Sequence, residues 1–208
     1  LKVSKQLIYS LHRDDLKTAE ILLKKTKAEK NKLDKIAKNH KNLLNEGSYS
    51  EAIQEFVEAI AYYSFIKHNK IPTKSQLKVD YEDYLLGICD LTGEITRRAV
   101  TLASKKQIKE FKKVKSLVEE IYGEFLKFNL RNGLLRKKAD SIKWNLKKID
   151  EIAGSESIEH YKNLRHDLKE FKRVQIGHFV LIFRFDNKQD IILFEDFDHH
   201  DKIYMKRF

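Results

Sequence analysis

Residues 83–98 read "DYLLGICDLTGEITRR". The stretch has the texture of a buried helix, yet Asp90 and Glu94 stand among Leu85, Leu86, Ile88, Cys89, Leu91 and Ile95. Acids placed in so apolar a helix need something to offset their charge. Read outward, Asp83, Gly87, Asp90, Glu94, Arg97 and Thr101 follow a helical rhythm and form one polar stripe. Gly87 and Gly93 remove side-chain bulk, so another helix is expected to approach closely here.

The partner is legible upstream. In residues 50–67 the segment "AIAYYSFI" is apolar on every side, the mark of a buried helix. Glu55 and Glu58 enter it three residues apart, which puts both on one face. If the two acidic stripes meet, four carboxylates share a bundle interior. Their repulsion must be offset by protonation, by arginine or by a divalent cation. Hard oxygen donors without histidine suit Mg²⁺ or Mn²⁺ better than Zn²⁺. A metal so held activates water and stabilises charge on a phosphodiester. The alternative from spacing alone is an ion-pair network in which Arg97 or Arg98 neutralises Glu94.

The composition points the same way. With 42 Lys and Arg against 31 Asp and Glu, the 208-residue chain carries +11, and 35% of it is charged. Such a balance suits a polyanionic partner, nucleic acid first. The same lysine and glutamate enrichment also marks proteins of hot niches. The single cysteine leaves no internal disulfide and no thiolate metal cage, which fits a reducing, cytoplasmic setting. No run of some 18 apolar residues predicts a membrane helix, and no signal peptide pattern opens the chain. The start at Leu1 reads as the middle of a helix, so upstream residues are expected to be missing.

One proline and seven glycines predict long helices. The pattern gives helices over 1–13, 15–45, 50–67, 80–103, 106–128 and 134–153. Ser48 or Ser50 is the expected cap of the third, Asp80 of the fourth, and "NKIPTKSQLKV" a loop between them. The helix at 134–153 puts Leu135, Ile142, Leu146 and Ile149 on one face, with Arg136, Lys143 and Lys147 elsewhere. After "GSES", a hinge-like stretch at 154–157, and a short helical turn, "FKRVQIGHFVLIFRFD" and "DIILFEDF" are aromatic and β-branched. With "IGH" and "DNKQ" as turns they predict a three-stranded antiparallel meander. The fold class is therefore mainly α, with domains at 1–153 and 154–208.

"EAIQEFVEAIAYYSFIK" followed by "DYEDYLLGICDLTGEITRRAV" resembles the translin superfamily, and within it the branch of translin-associated factor X (TRAX). "LHRDDLKTAEILLKK" and "NGLLRKKADSIKWNLKKIDEI" are similar to their family counterparts, so the likeness covers residues 1–152. It implies a translin-like α-helical bundle that assembles into homo-oligomers, often octamers, and binds single-stranded RNA and DNA. In the TRAX branch it implies a Mg²⁺-dependent endoribonuclease. The family's acids fall on Glu55, Glu58 and Asp90, with Glu94 adjacent, as catalytic and metal-holding residues. Arg97, Arg98, Arg136, Lys137 and Lys143 would hold RNA. Two departures stand out: the first helix is short at its start, and after residue 152 the family's further helix is replaced by strand-forming sequence.

That tail, from about residue 147, resembles the C-terminal half of RelE/ParE-type toxins, which cut mRNA without a metal. Arg173, Arg184, His199, His200 and Tyr204 take the positions of the toxin's basic and tyrosyl side chains. Most of the toxin's helical hairpin and its first strand are absent, which favours a structural tail. Three readings follow: a TRAX-like nuclease, a non-catalytic single-strand-binding oligomer of translin type, or a RelE-like toxin on a helical scaffold.

Overall fold

The computed structural model describes residues 1–155, 171–176, 179–186 and 191–203. The chain divides into two compact units, Leu1–Asp150 and Glu151–Phe208. In the first, α1 (Lys2–His12) and α2 (Leu16–Asn39) are followed by a 3₁₀ turn at Lys41–Asn45. Then come α3 (Gly47–His68), a short α4 (Lys74–Leu77), α5 (Tyr81–Ser104) and α6 (Ile108–Phe125). The last helix, α7 (Leu134–Ser155), starts in this unit and runs past its boundary.

Local chemistry sets these limits. Asp15 caps α2 by accepting from the Thr18 N–H at 3.1 Å. The helix expected to continue to residue 45 stops at Asn39, and the polar run around Asn39, Asn42 and Asn45 tightens into the 3₁₀ turn. Neither Ser48 nor Ser50 caps α3, which begins at Gly47 behind Glu46 without a side-chain cap. Ser50 instead donates its hydroxyl to Asp83 on α5. Asn69 closes α3 in the left-handed region at φ 53°. The expected loop contains α4, because Thr73 and Gln76 form a reciprocal capping box. Asp80 caps α5 as its position predicts, accepting from the Glu82 N–H at 3.3 Å.

The bundle's core lies between α3 and α5, with α1 and α2 against α3 and α6 against α5. Val57, Ala59, Ala61, Tyr62, Leu91, Ile95 and Ala99 are fully buried there. At Gly87 the two helices approach closely. A Cβ on it would lie 2.7 Å from the Val57 Cβ and 2.8 Å from the Gln54 carbonyl oxygen, so only glycine permits the crossing. Gly93 does not play the part expected of it: a Cβ there would meet only Asn145, at 3.9 Å.

The second unit holds an antiparallel sheet in the order β1 (Lys172–Ile176), β2 (Phe179–Asp186), β3 (Ile191–His199), then α8 (His200–Ile203). Val174 pairs with Leu181, and Leu181 with Phe197; the register shifts by a bulge at Ile182/Phe183. Val180 and Ile182 pack with Ile203 and Phe171 as a small core. The predicted hinge beyond Ser155, the helical turn after it, and the turns at 177–178 and 187–190 lie outside the described residues, as does Tyr204. No helix among the described residues is long and apolar enough to cross a membrane.

Candidate active site

The close crossing at Gly87 decides where the acids lie. Glu58 follows Val57 on α3, and Asp90 stands one turn beyond Gly87 on α5. Glu58 is 92% buried and makes no hydrogen bond or ion pair within the described residues. Burial above all, then repulsion from Asp90, Glu94 and Glu55, pushes its pKa up to about 8; the Lys138 ammonium works against the rise. Glu58 therefore feels the charges of the other three predicted acids, Asp90 most strongly.

The other three are engaged by cations from neighbouring helices. Lys5 of α1 reaches Glu55 at 3.1 Å. Lys138 of α7 donates to Asp90 at 2.5 Å and to the Gln54 side-chain oxygen at 3.2 Å. His12, at the end of α1, is bonded through Nε2 to Glu94, and this bond is the largest cause holding the Glu94 carboxyl below its usual range. The Tyr62 hydroxyl meets the other ring nitrogen, Nδ1, at 3.2 Å. With Tyr62 donating there, the imidazole carries its proton on Nε2 and presents it to Glu94. The same surroundings push the Cys89 thiol up to about 12, chiefly by burial, so it is no nucleophile.

Arginine is not what pairs with Glu94. Arg98 turns away to Asp14, its Nη1 2.6 Å from the carboxylate, and fixes the α1–α2 turn, where Asp14 sits at φ 58°. Arg97 is exposed and only assists His12 in lowering the Glu94 pKa. On α7, Lys137 and Lys143 are exposed, and Arg136 is exposed with Asp140 3.2 Å away.

Sequence reading missed Lys138, His12, Lys5, Tyr62 and Gln54 as members of this site. The signal for Lys138 was present. Positions 135, 138, 142, 145 and 149 alternate by three and four, the spacing of a buried helical seam. Leu135, Ile142 and Ile149 fill three of them, so Lys138 and Asn145 are polar insertions that point inward. Asn145 indeed donates to Thr92 of α5 at 2.9 Å. His12 gave no comparable signal, because its partner lies 82 residues away.

The donor set fits a hard divalent ion in kind: carboxylate oxygens from two helices and a buried Glu58 that lacks a partner. It does not stand as a ready cage. Among the described residues no three Asp, Glu, His or Cys side chains are arranged to hold a metal.

Within the tail, Arg173 and Arg184 share one face of the sheet and His199 lies on the other. Arg184 pairs with Glu195 at 2.6 Å and lies over the Phe171 ring, on the face of Val180 and Ile182. His199 meets Phe179 edge-on, on the opposite face of β2. His200 is beside Asp201 in α8, and Arg173 is half-buried in β1.

Comparison with known proteins agrees with this architecture. The crystal structure of apo-NeC3PO superposes with a TM-score of 0.68 at 36% identity, covering 75% of this chain and 83% of that one. AfC3PO, in a complex with duplex RNA, gives 0.64 at 27% identity over 72% of this chain and 79% of its own. A RelE4 toxin candidate of Methanocaldococcus jannaschii is 47% identical over 75 residues, which are 36% of this chain and 78% of that protein. The family model "Translin family" matches residues 2–158, and the chain belongs to the translin family.

Proposed function

We propose that this chain is a Mg²⁺-dependent endoribonuclease of the TRAX type that cuts single-stranded RNA. The observation that carries the reading is Glu58: a largely buried carboxyl group with no protein partner among the described residues, whose pKa is raised by three further acids on α3 and α5. A merely structural core has no use for that arrangement, which is costly in a protein without a cation to offset it. Glu58 and Asp90, with Glu55 and Glu94 beside them, are the residues that would hold Mg²⁺ or Mn²⁺. When bound, such an ion supplies an activated water and offsets charge on the phosphodiester. His12 fixes the Glu94 carboxylate through Nε2, and Tyr62 fixes the imidazole in turn. Exposed Arg97, Lys137 and Lys143 would hold the phosphate backbone, with Arg136 joining once freed from Asp140.

The likeness to AfC3PO, solved with duplex RNA, supports an RNA substrate and leaves strandedness to experiment. Family resemblance supports a homo-oligomer, an octamer in its usual form, with single-stranded DNA as a second ligand and the cytoplasm as its place. A second reading, a binding protein of translin type without turnover, draws on one observation: Lys5, Lys138 and His12 already occupy three of the acids. The RelE-like tail is read as structural, since Arg184 and His199 lie on opposite faces of the sheet.

Incubation of short single-stranded RNA with the protein in Mg²⁺ and in EDTA tests the proposal. Cleavage in Mg²⁺ that EDTA abolishes is expected. Binding without cleavage would select the second reading, and cleavage that persists in EDTA would point to the tail.

A further inference from the structure

Lys138 occupies an unusual position. It belongs to the inward seam of α7, yet it ends in a charge. Its ammonium is 2.5 Å from Asp90 and 3.2 Å from Gln54, and 27% of its side chain reaches solvent. It also lies close enough to Glu58 to oppose the rise in that residue's pKa. Its ammonium thus serves as counter-charge to Asp90 on α5 while it bonds the Gln54 side chain on α3. It does so from a third helix.

That position conflicts with a bound metal. An ammonium 2.5 Å from Asp90 Oδ2 competes with a divalent ion for that oxygen. Two cations on one carboxylate repel each other strongly where solvent screening is partial. Lysine suits a cation that must leave: a point charge on a flexible four-carbon stem withdraws without moving its helix, whereas an arginine fork would stay locked. Partial exposure gives it somewhere to go.

We propose that Lys138 is a built-in counter-cation which a divalent metal ion displaces from Asp90, so that the lysine holds the metal-free site together and sets its metal affinity. The inference rests on the reading of the acidic cluster as a metal site. It predicts opposite effects of one substitution in two states. Without metal, removal of Lys138 leaves the Asp90 carboxylate without its counter-charge, and the fold weakens. With metal, the competitor is gone, and the ion binds tighter.

The test is a Mn²⁺ titration of the full chain without RNA, followed by electron paramagnetic resonance of free Mn²⁺, with thermal melts in EDTA and in Mn²⁺. Lys138→Met should bind Mn²⁺ at least tenfold tighter than the wild type. It should melt lower in EDTA and gain more on Mn²⁺ addition. Lys148→Met removes the same charge from an exposed position of α7, about 15 Å along the axis, and should stay within about twofold of the wild type. Lys138→Gln gives the same comparison should the methionine variant not fold in EDTA. Affinity in the Lys138 variants equal to or weaker than wild type, with the wild type binding, overturns the role of Lys138 and leaves the metal site standing. Absence of Mn²⁺ binding in all variants brings down the metal site and this inference together.

Discussion

A single carboxylate, Glu58, carries more of the chemistry than any other residue. Its raised pKa gives it a signature in stability. The folded state keeps the Glu58 proton up to about pH 8, whereas the unfolded chain releases it near the ordinary glutamate value of 4.5. Between those values the folded state binds more protons, so stability is full below pH 4.5 and is lost as pH rises toward 8. Melts of the metal-free protein in EDTA should fall across that window, by an amount on the order of several kcal/mol. Glu58→Gln should flatten the slope. An equally steep decline in Glu58→Gln would show that the burden lies elsewhere. Glu94 and Asp14, both held below their usual range, act in the other direction and at lower pH, outside this window.

At the scale of elements, the site exists because α3 and α5 cross at Gly87. Gly87→Ala inserts a methyl 2.7 Å from the Val57 Cβ, and the helices must part. A loss of about 1–3 kcal/mol is expected from such overpacking, with RNA cleavage reduced further than stability because Glu58 and Asp90 separate. Urea denaturation beside a cleavage assay checks both. Gly93→Ala, facing only Asn145 at 3.9 Å, should be nearly silent. The two glycines looked alike in sequence, since spacing shows which face a residue takes but not the distance to the next helix. The same limit explains the misread caps. Ser50 is a good cap by type, but Asp83 lies opposite and takes its hydroxyl. Long apolar helices, Asp80 as a cap, the meander and the acidic stripe were all legible, because each follows from local periodicity. The cations that pair with the acids were not, because His12, Lys5 and Lys138 arrive from distant helices.

For the whole molecule, net charge and division into units make separate predictions. A chain of +11 should bind single strands with an affinity that falls steeply between 50 and 200 mM salt, as phosphate contacts release counterions. Fluorescence anisotropy with a labelled oligonucleotide reads this out, and a flat salt response would contradict it. All four acids, with Lys138 and His12, fall in the unit Leu1–Asp150. A chain ended after Ser155 should therefore keep Mg²⁺-dependent cleavage, and Arg184→Ala or His200→Ala should leave it unchanged. Loss of cleavage in the Arg184 variant would move the chemistry to the sheet. The proposed cleavage of RNA by the buried acid of α3 and a divalent ion is open to measurement. Its most direct measurement compares wild type and Glu58→Gln on one labelled single-stranded RNA in Mg²⁺, scoring cleavage and binding in the same samples. Cleavage should fall by at least a hundredfold while binding stays within about threefold, since the basic surface is untouched. Undiminished cleavage by Glu58→Gln would contradict the proposal.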